Sequence, residues 1–158
     1  MHTIDKKKIL YFSTKSVYGG AQRYILDLID YSPHEQFDVE VAAGGRGQFA
    51  LAIEKRGIPY HEIRGLERDI NPFADIASLF RIWKLLRTIR PDIIHLNGSK
   101  VSIIAAIAGR LAGVPHIVSS THGWPFLEER PAFQKKLIAL ATRVGSMFQD
   151  SIICVSQL

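Results

Sequence analysis

Apolar positions along this chain fall into two kinds of run that alternate from end to end. The first kind is short and rich in β-branched and aromatic residues. It comprises Ile9-Leu10-Tyr11-Phe12, then Val39, Val41 and Ala42 within 38–43, residues 60–63, Ile93-Ile94-His95-Leu96, 116–120 and 151–155. These runs are too short for helices and mostly too continuous for a sheet wetted on one face, so they predict buried strands. The second kind spreads its apolar residues at helical spacing. Ala21, Tyr24, Ile25, Leu28 and Ile29 make one stripe, residues 49–56 a short helix, and 73–90 a long one with Ile76, Phe80, Trp83 and Leu86 turned inward. Two more helices are predicted over 101–112 and 132–148, the latter with Phe133, Leu137, Leu140, Ala141, Val144 and Phe148 on one face. The alternation predicts an α/β protein with a doubly wound, mostly parallel sheet and helices on both faces.

The breaks support this division. Gly57 and Pro59 stop the second helix, Arg90-Pro91 the third and Gly113-Val114-Pro115 the fourth. The chain ends on Val155-Ser156-Gln157-Leu158, straight after a strand with no helix to cover it, which predicts a piece of a longer protein.

Composition narrows the setting. At 158 residues, 47% apolar and 22% charged, the chain is expected to be one soluble domain with its own core. Its formal charge of +5 permits anionic partners without selecting one. Nucleic acid is not an expected partner, because the basic residues are dispersed and 15 acids offset them. Lys6-Lys7-Lys8 leads into a strand rather than an apolar secretory segment, and the weakly polar stretch 101–114 is too short to span a bilayer. Cys154, the single cysteine, fits a reducing cytoplasm and reads as a small buried hydrophobe within Ile152-Ile153-Cys154-Val155.

Candidate chemistry collects at the predicted carboxyl ends of the strands, where doubly wound sheets bind ligands. After the first strand, Gly19-Gly20 opens a helix whose free N–H groups suit phosphate; the pair either admits a ligand to the backbone or only makes the turn. The third glycine of a dinucleotide fingerprint is missing, so a nicotinamide or flavin site is not expected. Gly44-Gly45-Arg46-Gly47 is a second glycine-rich turn. Asn97-Gly98-Ser99-Lys100 offers hydrogen-bonding groups at another helix start, with Ser99 either a ligand contact or a plain N-cap. His122 stands just past a strand end and faces either a crevice or a backbone carbonyl. His95 and His116 read as partly buried strand residues with one ring nitrogen satisfied, and no histidine pair has metal-ligand spacing. Trp124-Pro125-Phe126 places two rings in a loop, against a sugar, an acyl chain or a small core of their own. Arg81, Lys84, Arg87 and Arg90 are expected opposite the apolar stripe of the long helix, as a solvated face or a contact to anionic lipid.

Five motifs then occur in a telling order: Tyr18-Gly19-Gly20-Ala21-Gln22, the run from Arg90-Pro91-Asp92 to Asn97, Ala108-Gly109-Arg110-Leu111-Ala112-Gly113-Val114-Pro115, Thr121-His122-Gly123-Trp124, and Ile153-Cys154-Val155-Ser156. Together they resemble the N-terminal, Rossmann-like domain of the retaining glycosyltransferases of family 4, one half of a GT-B fold. The resemblance implies transfer of a sugar from a nucleotide-sugar to a glycan or lipid-linked acceptor, with no cofactor and no required metal, in surface polysaccharide or glycolipid synthesis. It implies that Gly19 and Gly20 approach the donor diphosphate and that His122 lies by the reacting sugar as the catalytic residue. Asn97, Gly98, Ser99 and Trp124 would line the acceptor side. The expected location is cytoplasmic, with peripheral contact at the inner face of the membrane. The family's C-terminal nucleotide-sugar domain is not in this sequence, so the chain alone is expected to bind donor weakly and turn over negligibly. Two rivals stand beside this reading: a GT-B sugar-nucleotide epimerase, and a non-enzymatic module that binds glycan or nucleotide.

Overall fold

The structure is a computed structural model and describes residues 6–122 and 131–155. Alternation of short and helical runs becomes a strict βα succession. Strand β1 (Lys7–Ser13) leads to α1 (Gly20–Tyr31), β2 (Phe37–Ala43) to α2 (Gln48–Glu54), and β3 (Tyr60–Glu62) to α3 (Pro72–Ile89). Then β4 (Ile93–Asn97) leads to α4 (Ser99–Ala112), β5 (His116–Thr121) to α5 (Ala132–Ser146), and β6 (Ser151–Cys154) follows. All five strand pairs are parallel, in the order β3-β2-β1-β4-β5-β6. The chain therefore winds outward from β1 through β3, returns beside β1 as β4, and winds outward the other way. The switch point lies between β1 and β4.

Alternate residues of each strand feed two cores, as the period of two requires. Ile9, Tyr11, Val41 and Ala43 pack under α1 and α2 with Ile25, Ile29, Phe49 and Ile53. Leu10, Phe12, Ile94, Leu96 and Ile117 pack under α3 and α4 with Ile82, Leu86, Ile104 and Ala105. The long helix is well delimited: Asn71 Oδ1 accepts from Ala74 N at 3.2 Å, Pro72 occupies its first turn, and Arg90 closes it in the left-handed region at φ 52°.

Two aspartates set register at the strand starts by the same device. Asp92 N donates to Lys8 O at 3.0 Å while Lys8 N donates to Asp92 Oδ2 at 2.9 Å. Likewise Asp150 N donates to Ile117 O at 2.8 Å, and Ile117 N to Asp150 Oδ2 at 2.7 Å. These backbone donors are the main force holding both carboxyls below the ordinary range, helped by Lys7 at Asp92 and Arg110 at Asp150. A lowered folded pKa stabilises above the unfolded value and is lost as pH falls through the folded one. Asp92→Asn and Asp150→Asn are therefore expected to lower the urea midpoint at neutral pH. The gap from wild type should close below about pH 4, the ordinary carboxylate range. A gap that persists unchanged at low pH would mean that the charge contributes nothing.

Two inward assignments, on α3 and at Cys154, are corrected, and the apolar face read on α5 is found to be outward. On α3 only Leu86 of the expected stripe is buried; the buried face runs through Ser78, Ile82 and Leu86, while Ile76, Phe80 and Trp83 are exposed. The helix carries apolar residues on two faces, and the sheet takes the one whose phase also includes Leu79, Leu85 and Ile89. The basic residues Lys84 and Arg87 accordingly share a face with Phe80 and Trp83 instead of opposing them. On α5, Phe133, Leu137, Leu140 and Val144 are exposed, because α5 meets α4 through Gly145, where an added Cβ would lie 3.1 Å from Ile103 Cα. Cys154 is exposed rather than buried, since β6 is an edge strand with all four residues exposed.

Candidate functional site

The glycine turn after β1 is held from beneath by two residues that local pattern reading passes over. Gln22, buried on the first turn of α1, donates through Nε2 to Ser13 Oγ at 2.8 Å and to Lys15 O at 3.0 Å. Ser16 Oγ accepts from Gly47 N at 2.9 Å and Ala50 N at 3.1 Å, so it caps α2 from a loop 31 positions upstream of Gly47. The second glycine turn is thereby locked to the first. Cβ atoms on Gly44 and Gly47 would fall 1.9 Å from Leu66 O and 2.4 Å from Ser16 O, so these glycines serve packing. Gly20 differs. Among the described residues a Cβ there meets nothing within 4 Å, and its φ lies outside the left-handed region, so neither packing by those residues nor strain accounts for the missing side chain. Gly19 caps α1 with no side-chain bond, and no acidic residue sits in the first turn, leaving the N–H groups facing the switch point.

Across the switch point, β4 ends on Asn97, which is buried, and turns through Gly98 into α4. Gly98, not Ser99, is the N-cap, again with no side-chain bond, and Ser99 is the first helical residue. Gly98 has φ 124°, and a Cβ would stand 2.7 Å from Thr14 Oγ1 on the facing loop. Strain and collision act together there, so Gly98→Ala is expected to destabilise the chain by about 2–3 kcal/mol. Chemical denaturation measures this, and a loss no larger than that of an ordinary surface change would refute it.

Strand parity places Tyr11, His95, Asn97 and Ser120 on the face that α1 covers. His95 is buried, stacks beside Tyr11 with centroids 5.4 Å apart, and lies 2.8 Å through Nε2 from Ser120 Oγ. Burial lowers its pKa to about 4, with the nearby His122 adding to the effect, so it is neutral at physiological pH. His122, one residue past β5, is exposed at the rim and packs edge-on to Tyr24 of α1, centroids 5.1 Å apart. Its Nε2 makes a long 3.5 Å contact with Asn97 Oδ1, and partial burial lowers its pKa too. His95 thus has the satisfied nitrogen expected of it; among the described residues His116 has no ring-nitrogen partner, being exposed at the start of β5 with its backbone N bonded to Asp92 O.

Structure thus brings Gly19, Gly20, Asn97, Gly98, Ser99 and His122 to one edge of the sheet, while Trp124 lies outside the described residues. Between α4, α5 and the end of β5 lies a cavity of about 420 Å³, lined by Gly98, Ser102, Thr121, His122, Thr142 and Arg143 among others. A second cavity, of about 330 Å³, opens at the amino ends of the strands near Arg87, Arg90 and Gly113, the end opposite the switch-point crevice. Among the described residues no three of His, Cys, Asp and Glu come together to hold a metal ion. Tyr24 and Ser120 were missed in the sequence; the only signal for them was polarity where a helix stripe and a strand should be apolar.

An apolar doubly wound sheet with a polar rim and two helix N-termini at its switch point defines a Rossmann-like ligand-binding domain. The family model described as Glycosyltransferase Family 4 matches residues 18–158, and the chain belongs to that family. Its fold is that of the N-terminal half of a GT-B glycosyltransferase, as the motif order implied. The chain is 33% identical over 124 residues to an Escherichia coli UDP-Gal:alpha-D-GlcNAc-diphosphoundecaprenol alpha-1,3-galactosyltransferase, covering 78% of this chain and 32% of that enzyme. It spans about a third of that relative's length. Among solved structures it is similar to Anabaena Alr3699/HepE in complex with UDP and glucose, with TM-score 0.69, 18% identity, and 92% of this chain and 37% of that one covered. It is also similar to a UDP-N-acetylglucosamine 2-epimerase, with TM-score 0.66, 17% identity, and 95% and 42% covered.

Proposed function

We propose that this chain is the acceptor-side domain of a glycosyltransferase that moves a sugar from a nucleotide-sugar, retaining its configuration, to a hydroxyl of a diphospholipid-linked glycan. The observation that carries the reading is the rim itself. Two helices present uncapped N-termini across the switch point, Gly20 leaves open space above one of them, and the neutral His122 stands beside the other. Such a rim favours an anionic diphosphate and a hydroxyl-rich ligand together. The relative from Escherichia coli, whose name carries both a UDP-sugar and a diphosphoundecaprenol acceptor, supports the class of both substrates. In this reading Gly19 and Gly20 approach the donor diphosphate, His122 contacts the reacting sugar, and Asn97, Gly98, Ser99 and Trp124 line the acceptor. A second, nucleotide-sugar domain completes the enzyme, and the chemistry runs without a metal.

The acceptor class also gives a role to α3. No helix among the described residues is long and apolar enough to cross a membrane. Yet Phe73, Ile76, Phe80 and Trp83 are 87%, 58%, 61% and 38% exposed along one face, with Lys84 and Arg87 on the same face. A surface that is apolar and basic at once suits peripheral contact with an anionic lipid surface, where a lipid-linked acceptor resides.

The test is product analysis with the complete protein, a panel of UDP-sugars and a diphospholipid-linked acceptor, with and without a chelator. A new glycosidic bond of retained configuration, formed in chelator, is the expected product. An epimerised sugar-nucleotide would replace this reading with the epimerase, and a natural protein whose intact mass equals that of these 158 residues would replace it with a binding module.

A further inference from the structure

We propose that Tyr24 is the positioning residue for His122, coupling the imidazole to the helix whose N-terminus carries Gly19 and Gly20; this rests on the functional reading above.

Tyr24 is half-buried on α1, one turn beyond Gly20, so the two residues share a helix face. Its ring contacts two imidazoles, that of His95 on β4 and that of His122 just past β5. The edge contact to His122 is 5.1 Å between centroids at 73°, and that to His95 is 6.3 Å at 88°. Both are the tilted arrangements that aromatic quadrupoles favour. The phenol is anchored at its far end as well. Ser120 Oγ donates to Tyr24 Oη at 3.4 Å, and Ser120 Oγ is 2.8 Å from His95 Nε2. With the serine proton directed at the phenol, Ser120 accepts from His95 Nε2–H, which a buried neutral imidazole supplies. His95, Ser120 and Tyr24 thus form a directed chain that begins in the core and ends on the ring against His122.

His122 has one other described hold, the long contact to Asn97 Oδ1. It sits beyond the end of β5 and is not fixed by the strand ladder. The Tyr24 ring supplies a wall that a leucine of similar bulk would replace only in part, lacking both the quadrupole and the hydroxyl anchor. Since Tyr24 and Gly20 ride on one helix, a diphosphate seated on that N-terminus and the imidazole are set by the same rigid body. The distance between leaving group and His122 is then a property of α1, not of the loop that carries the histidine.

The experiment has two arms. In this chain, the ring resonances of His122 are followed by heteronuclear NMR in wild type, Tyr24→Phe and Tyr24→Leu, with His122→Gln for assignment. Tyr24→Leu is expected to move the His122 signals while Tyr24→Phe largely keeps them; unmoved signals in Tyr24→Leu overturn the proposal. In the complete protein, Tyr24→Leu is expected to lower kcat roughly three- to tenfold, with the donor KM unchanged and Tyr24→Phe close to wild type. Moved signals with unchanged kcat, or a loss of stability with unmoved signals, reduce Tyr24 to packing and overturn it too. Absence of sugar transfer by the wild-type complete protein would sink the enzyme reading alone, because the NMR arm does not depend on it.

Discussion

His122→Ala and His122→Gln in the complete protein are expected to lower the turnover of sugar transfer by about 100-fold, the scale at which one positioned polar group in a closed site acts. The geometry around His122 distinguishes its two ring nitrogens in that role. Asn97 Nδ2 donates to His95 O at 3.2 Å, which fixes the amide and turns Oδ1 toward His122. In the proposed role the His122 nitrogen facing that oxygen, Nε2, would carry the proton, which leaves Nδ1 as the acceptor. A neutral imidazole can accept from a sugar hydroxyl through Nδ1; an imidazolium cannot. Because burial lowers the pKa from 6.5, the neutral form persists to lower pH than for an ordinary histidine. The rate should therefore hold through neutrality and fall only on the acid side of pH 6.5, and His122→Gln should erase that acid limb. A variant that keeps wild-type kcat, or keeps the same limb, would remove His122 from the reaction.

What could be read from the residues, and what could not, divides along a physical line. Strands were legible because a parallel sheet buried on both faces demands continuous apolar runs, and 93–96 and 9–12 have no other use. The rim was legible for the same reason: Asn97-Gly98-Ser99 and His122 follow those runs closely, and Gly19-Gly20 break the chain between the first run and the first helical stripe. Which face of a helix is buried was not legible for α3, since two apolar stripes compete and only the sheet beneath decides between them. On α5 a single apolar stripe was visible but its burial was not, because burial depends on what lies against it. Ser16 escaped because capping rules look a few residues ahead, whereas it caps α2 across the switch-point loops. Tyr24 escaped because its partners, Ser120 on β5 and His122 just past it, lie two strands away from β1 in the sheet. Side chains that act between elements distant in sequence carry no local period, and these are the residues that tune the site.

The α3 face supplies the other large effect. Phe73→Ser together with Phe80→Ser is expected to weaken binding of the protein to vesicles containing anionic phospholipid by roughly 100-fold, about 3 kcal/mol. Both rings are largely exposed and stand on the face opposite Ser78, Ile82 and Leu86, so removing them leaves the core intact and folding stability near wild type. Trp83 is a poorer probe, because its Nε1 donates to Leu111 O at 3.4 Å and ties α3 to α4. Charge should contribute separately. Lys84→Gln and Arg87→Gln are each expected to cost about 1 kcal/mol of vesicle binding at low salt, a loss that disappears as salt rises, while the loss from the phenylalanines does not. That contrast separates insertion of the apolar face from simple attraction to a negative surface. If the double serine variant binds vesicles as wild type does, α3 is a solvated helix and the acceptor reaches the site without it. If it loses vesicle binding and, in the complete protein, loses transfer to a membrane-borne acceptor while keeping transfer to a detergent-dispersed one, α3 delivers the site to its substrate.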